Sequence, residues 1–275
     1  MNQYLTIDDA VFAEAFGAGP IAVAHNLGEH PLLSLEALAG LAERLPAEQV
    51  EHNVGAVPEI VEDAEAVQRS ALTPAEIVRT IDSNGEWMVL KLIETDPDYK
   101  RLLDETLDEV AGHLPASGGP MLQREGFVFL SAPSSVTPSH TDPEHNILLQ
   151  VRGRKEMTVG EFPDAETRQR ELEDHATGGH RNVEWLPVNP QLFDLHPGEA
   201  VYVPPHAPHW VRNGEVASVS LSITFRTPGT DRAARVSAMN ARLRRIGLSP
   251  KPPGDRPAID AVKAGASRAL GKLRG

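Results

Sequence analysis

The sequence predicts a mainly β protein, a sandwich or small barrel of short strands, with flanking helices. Three observations carry this. After residue 120, seven short apolar runs alternate with turn signals, the spacing of an antiparallel sandwich or barrel. Before residue 120, helical and extended periodicities are mixed. After residue 226, only helix-type patterns and a proline-rich linker remain.

Taken in order, Asp8 or Asp9 caps a short helix that runs to Phe16 and ends at the glycines 17 and 19. Residues 20–25 (PIAVAH) read as a strand. Residues 34–45 have helical apolar spacing, a serine at the cap, and a stop before Pro46. Thr73-Pro74-Ala75-Glu76 is a capping signal with proline at the first helical position, and the helix is expected to reach about Asn84-Gly85. Residues 87–93 (WMVLKLI) form an apolar strand and residues 96–113 an amphipathic helix. The short apolar runs that follow are 126–130, 146–151, 155–159, 191–195, 200–203, 210–212 and 216–225. The polar, helix-prone stretch 163–179 interrupts them as an insertion over the barrel mouth. A helix over 231–246, a linker over 250–257 and a small basic helix over 258–273 end the sequence. The expected organisation is an N-terminal helix-and-strand region (1–119) packed on a catalytic barrel (120–227), with a C-terminal helical extension and basic tail (228–275).

Composition narrows the function classes. The chain has 275 residues, 40% hydrophobic and 24% charged, enough apolar content for a sizeable core. It has no cysteine, which excludes disulfides, thiol nucleophiles, iron–sulfur clusters and cysteine-bound zinc. Any metal must be held by the 11 histidines and the carboxylates. The net charge of −13 divides unevenly: residues 227–275 carry +8 and residues 1–226 carry −21. So acidic a body repels phosphate backbones and disfavours nucleic acid as the main partner. No apolar run approaches the ~20 residues of a membrane span, and the first residues lack a signal-peptide pattern. A soluble, cytoplasmic protein is the expectation.

There is no P-loop, no G-x-G-x-x-G, no G-x-S-x-G and no H-E-x-x-H. One H-x-D stands out, His140-Thr141-Asp142. In a strand, residues i and i+2 project to one face, so His140 and Asp142 can reach one ion together. A third ligand is offered by a distant stretch, where a Pro197-Gly198 turn and an apolar strand lead to His206 and His209. Two histidines and one aspartate with open positions make the facial triad of non-haem Fe(II) oxygenases.

The run Val136-Thr137-Pro138-Ser139-His140-Thr141-Asp142, followed by Asn146, Gln150, Gly153 and Lys155, closely resembles the JmjC-type, cupin-like 2-oxoglutarate oxygenases. The nearest branch is that of the asparaginyl hydroxylases. The later Pro-Gly, apolar strand, proline and histidine five positions after Pro204 match in form, and this register selects His209 over His206. The resemblance covers residues 120–227. It implies a double-stranded β-helix (jelly roll) and a dioxygenase that uses Fe(II), 2-oxoglutarate and O2 to hydroxylate an unactivated C–H bond, releasing succinate and CO2. It further implies that His140, Asp142 and His209 bind iron. Lys155 and Thr137 take the distal carboxylate of 2-oxoglutarate, and Asn146 lies near its chelating end. The last strand departs from that branch: Thr224-Phe225-Arg226 stands where asparagine, phenylalanine and tryptophan are found. Thr224 is expected to replace a cosubstrate hydrogen bond and Arg226 to contact cosubstrate or substrate. The substrate remains open among peptide side chains, amino acids, lipids and metabolites. A homodimer through the helix 231–246 is expected by the same resemblance. The competing class is a non-catalytic, cupin-like metal-binding regulator.

Other residues read as structural. Glu144 and His145 are expected to point away from the ion. Trp210 should face the core, and His175 and His180 should be solvated.

Overall fold

Short-range signals set most element boundaries. The structure, a computed structural model, describes residues 3–54 and 70–272. Leu273, the last residue of the predicted C-terminal helix, lies outside them. The N-terminal part runs β1 (Leu5–Thr6), α1 (Asp9–Ala15), β2 (Ile21–His25), α2 (Leu35–Arg44), β3 (Val50–Val54), α3 (Pro74–Arg79), β4 (Glu86–Lys91) and α4 (Pro97–His113). Then come β5 (Leu122–Ser131), β6 (Val136–His140), β7 (His145–Arg152), β8 (Lys155–Glu161), α5 (Ala165–His175), β9 (Val188–Leu195), β10 (Glu199–Val203), β11 (His209–Asn213) and β12 (Ser218–Arg226). Helices α6 (Pro228–Arg245) and α7 (Pro257–Lys272) follow.

Side chains of Asp8, Ser34, Thr73 and Asp96 accept the orphan N–H groups at the starts of α1 to α4. Helix α3 stops well short of Asn84. The Thr80 hydroxyl donates back to the Glu76 carbonyl (2.7 Å), and Asn84 Nδ2 donates to that of Ile77 (2.8 Å). Side chains thus satisfy carbonyls that a further helical turn would otherwise bond.

Two antiparallel sheets make the jelly roll that the strand spacing and the resemblance imply. The larger has the order β1-β2-β10-β7-β12-β5-β4-β3, and the smaller β6-β11-β8-β9. On β7 and β12, Ile147, Leu149, Leu221 and Ile223 face outward, where Leu38, Leu41, Leu103 and Leu107 of α2 and α4 bury them. Gly126 on β5 marks that close approach: a Cβ there would sit 2.7 Å from Ile93 Cγ1. Leu148, Met157, Val159, Leu195, Val201, Val203 and Val211 fill the space between the sheets. That inner apolar layer closes one part of the barrel and leaves the rest to polar side chains. Among the described residues, no helix is long and apolar enough to cross a membrane.

Candidate metal centre and its cavity

Strands β6 and β11 pair so that His140 lies directly opposite His209. Their ring centroids are 4.1 Å apart. The ladder is irregular here. The step from His209 to Val211 on β11 is matched on β6 by the longer step from His140 to Thr137. In a regular strand, residues 137 and 140 would face opposite ways. The bulge brings both to the wall of one cavity. Pro138 sits within this bulge on the edge strand, where a missing N–H is tolerated.

Alternation along a strand is not what places Asp142. Strand β6 ends at His140, and Asp142 lies in the turn before β7. The turn is held by backbone bonds from His206 N to the Asp142 carbonyl (2.6 Å) and from Thr141 N to that of Arg181 (3.0 Å). The expected pair of residues does meet, but by turn geometry.

The two imidazoles are oriented from behind. Nδ1 of His140 is 2.7 Å from the Pro138 carbonyl oxygen, and Nδ1 of His209 is 2.8 Å from that of Ala207. A carbonyl only accepts, so each Nδ1 carries a proton, and in the neutral ring the lone pair is on Nε2. Both Nε2 atoms lie 3.7 Å from Asp142 Oδ2. The three side chains offer ligand atoms that all fall within 4.8 Å of one another. Burial, and then the neighbouring His140, push the pKa of His209 down to about 4. Burial alone would raise that of Asp142, but His140, His209 and Arg181 outweigh it and hold the carboxyl at about 2. At neutral pH, His209 is therefore an unprotonated donor and Asp142 an anion, the forms a metal requires. His206 is not part of this cluster. Its backbone is left-handed (φ 62°), and its ring packs edge-on against His175, 5.6 Å away.

The cluster opens on a cavity of about 80 Å³ between the sheets. Thr137, Asn146, Lys155 and Thr224 all line it, with Phe127 and Phe129 from β5. Lys155 is only 3% exposed, and its Nζ lies 5.8 Å from the centre of the Phe129 ring. Among the described residues, no carboxylate pairs with it, and burial pushes its pKa down to about 7. Asn146 Oδ1 accepts from the Ser222 hydroxyl (2.8 Å), and Thr224 Oγ1 donates to the Glu125 carbonyl (3.2 Å). Gln150 is fully buried and bonds Ser218 and Ser220 (3.0 and 2.7 Å), which ties β7 to β12.

Arg226 stands apart from the other predicted cosubstrate residues. It donates to Glu144 Oε1 (2.7 Å) and faces a second cavity instead. Glu144 does not point away as expected: it is buried and lines the triad cavity. Arg181 has no counterpart in the sequence reading. Its Nη1 donates to Asp142 Oδ1 (2.8 Å), and its Nη2 lies 3.9 Å from Glu144 Oε2. It arrives because residues 181–183 follow the insertion and bond to the free edge of β6 at Ser139 and Thr141. No local pattern announces so distant a pairing; the signal nearest to it is Glu144 itself, a charge beside the H-x-D that needs a partner once buried. His145 does point away, stacked on Phe16 and Phe225. Trp210 takes the face opposite His209 but stays partly exposed, with the Arg212 guanidinium 5.4 Å from its ring centre, because among the described residues no helix packs closely on β11. His175 is half buried rather than solvated.

A facially open His, Asp, His cluster inside a jelly roll defines a class. Residues 121–232 match the family model described as the JmjC domain. Among solved structures, the X-ray structure of Escherichia coli YcfD is similar, with a TM-score of 0.55 at 18% identity, covering 98% of this chain and 69% of that one. YcfD in complex with cobalt and 2-oxoglutarate, described as a ribosomal oxygenase, matches with a TM-score of 0.54 at 17% identity, covering 98% and 68%. No curated protein matches the sequence.

Proposed function

We propose that this chain is an Fe(II)- and 2-oxoglutarate-dependent oxygenase that hydroxylates an unactivated C–H bond of its substrate. One observation carries the reading: Lys155, buried and without a carboxylate partner among the described residues, faces the same cavity as the His140, Asp142 and His209 cluster. A buried ammonium calls for a buried anion. A dicarboxylate that chelates a metal at one end and meets a lysine at the other satisfies both features at once. The residues present fit such a group: two imidazole Nε2 atoms and one carboxylate, with tautomers fixed by backbone carbonyls.

In this reading, His140, Asp142 and His209 hold Fe(II) and leave one side of it open. Lys155 and Thr137 hold the distal carboxylate of 2-oxoglutarate, and Asn146 and Thr224 line the path between. When bound, Fe(II) with 2-oxoglutarate and O2 supplies an oxidant strong enough for a C–H bond, with succinate and CO2 released. The protein positions and shields. Phe127, Phe129, Leu148 and Met157 keep the cavity apolar around the lysine. Arg181 neutralises the second oxygen of Asp142, which holds that carboxylate to a single ligating oxygen. The description of the E. coli neighbour as a ribosomal oxygenase directs the first screen to protein and peptide side chains.

Aerobic incubation with Fe(II) and 2-oxoglutarate, with succinate measured with and without candidate peptides, tests the reading. Succinate release that needs His140 and Lys155 supports it. Tight metal binding with no 2-oxoglutarate consumption under any condition favours the non-catalytic regulator.

We further propose a homodimer; it was expected through residues 231–246, in α6, but α7 packs against α6, and the exposed apolar face lies on α7. Helix α7 turns Asp260, Lys263 and Ser267 inward and leaves Ile259, Val262 and Leu270 exposed. An apolar stripe of this spacing on the outer face fits a second copy. Val262→Asp is expected to give a monomer by light scattering while the parent stays dimeric at low and high salt. A parent that is monomeric at every concentration removes the dimer.

A further inference from the structure

A second cavity, of about 370 Å³, lies on the other side of the Glu144 and Arg226 pair. It is within the size range of small-molecule sites, about 300–1,000 Å³. Helix α5 supplies one wall through Arg168, Leu172 and His175, residues one turn apart on a single face. Helix α6 supplies the opposite wall with Ala233, Ala234 and Ser237, small side chains that make the room. The floor is Pro143 and His206, and Pro143 directly follows the ligand candidate Asp142.

Its chemistry is one-sided. In a chain of net charge −13, the lining holds two arginines, two histidines and no carboxylate. Arg226 gives one N–H to Glu144. Among the described residues, Arg168, an exposed side chain at the cavity's edge, pairs with no carboxylate. Nδ1 of His175 and Nδ1 of His206 are buried and have no hydrogen-bond partner among the described residues. The acidic side chains of α5 do not compensate: Glu173 turns to Arg244 (2.7 Å) on the far side of the helix. Buried, unpartnered polar atoms in a cavity beside unbalanced positive charge call for an acceptor that is itself charged.

We propose that this cavity is an oxyanion subsite, which takes a carboxylate or phosphate group on Arg168 and the rings of His175 and His206. The backbone bond from His206 N to Asp142 O (2.6 Å) ties the subsite to the metal cluster. Glu144 lines the triad cavity and its partner Arg226 lines this one, so the ion pair is the wall the two cavities share. The site therefore selects an acidic substrate, a conclusion that rests on the oxygenase reading. The anion itself has two sources, an acidic group of the substrate or a free phosphate acting as an effector.

The test uses the full chain loaded with diamagnetic Zn(II), with isotope-labelled histidine followed by NMR. Inorganic phosphate, added at constant ionic strength against a chloride control, should move the His175 and His206 ring signals and saturate. Arg168→Gln and His175→Gln should each weaken that binding about tenfold or more. Mn(II) affinity at the triad, by calorimetry, should stay unchanged in both variants. Ring signals that move no more than in chloride, or variants that bind phosphate like the parent, overturn the subsite. In turnover, phosphate that competes with an acidic peptide supports the substrate source. Phosphate that acts without competing overturns the substrate assignment and leaves an effector site. A protein that never forms succinate yet shows the phosphate shifts defeats the oxygenase reading alone.

Discussion

Replacing Lys155 with methionine should move stability and ligand affinity in opposite directions. Methionine keeps a long unbranched stem against Phe129 and carries no charge. Burial lowers the lysine pKa from 10.5 to about 7. Between those values, the unfolded chain binds more protons than the folded one, so the stability of the ligand-free protein rises with pH across that window. The cost of the buried ammonium is fully present below pH 7 and gone above about pH 10.5. A shift of this size corresponds to on the order of 4 kcal/mol at pH 7. Ligand-free Lys155→Met should thus be more stable than the parent by a few kcal/mol at pH 6–7, with the difference closing by about pH 10.5. Binding runs the other way. A carboxylate brought against a site that has lost its cation stays uncompensated, a loss on the order of 3 kcal/mol or roughly 100-fold. Urea denaturation from pH 6 to 10 measures the first effect, and calorimetry of 2-oxoglutarate with the Mn(II)-loaded protein measures the second. A variant that is less stable than its parent at pH 6–7 and still binds 2-oxoglutarate within threefold would refute the reasoning.

His140→Ala, Asp142→Ala and His209→Ala should each weaken Mn(II) binding by about 100-fold or more, since two ligands hold a divalent ion poorly against water; calorimetry gives the affinities. His206→Ala should stay within threefold of the parent, and a loss equal to that of His209→Ala contradicts the grouping. Gly153→Ala should destabilise by at least about 2 kcal/mol by chemical denaturation. Gly153 has φ +71°, and an added Cβ would lie 2.5 Å from the Ala217 carbonyl oxygen in the turn that brings Lys155 into β8.

What the sequence discloses here is what depends on near neighbours. Helix starts were readable because a cap is one side chain and two or three N–H groups: Asp8, Ser34, Thr73 and Asp96 act within their own first turns. The strands were readable because each is a short apolar run set between turn signals. The end of α3 was not readable, since it depends on Asn84 folding back onto Ile77 rather than on helix propensity.

The metal cluster shows the boundary most sharply. His140, Asp142 and His209 are visible as residue types at a familiar spacing, yet strand periodicity gives the wrong reason for two of them. A strict period of two would place His140 and Asp142 on one face and Thr137 on the other. The structure ends the strand between His140 and Asp142 and bulges it between Thr137 and His140, so all three line one cavity through irregularity. Irregular geometry is encoded by partners far along the chain: His206 bonding the Asp142 carbonyl, and residues 181–183 bonding the edge of β6. Those same long-range partners bring Arg181 to Asp142 and set His206 beside His175. The residues that escaped the sequence are therefore the ones that shape the mouth of the cavity, where a periodic pattern would leave no room for a substrate.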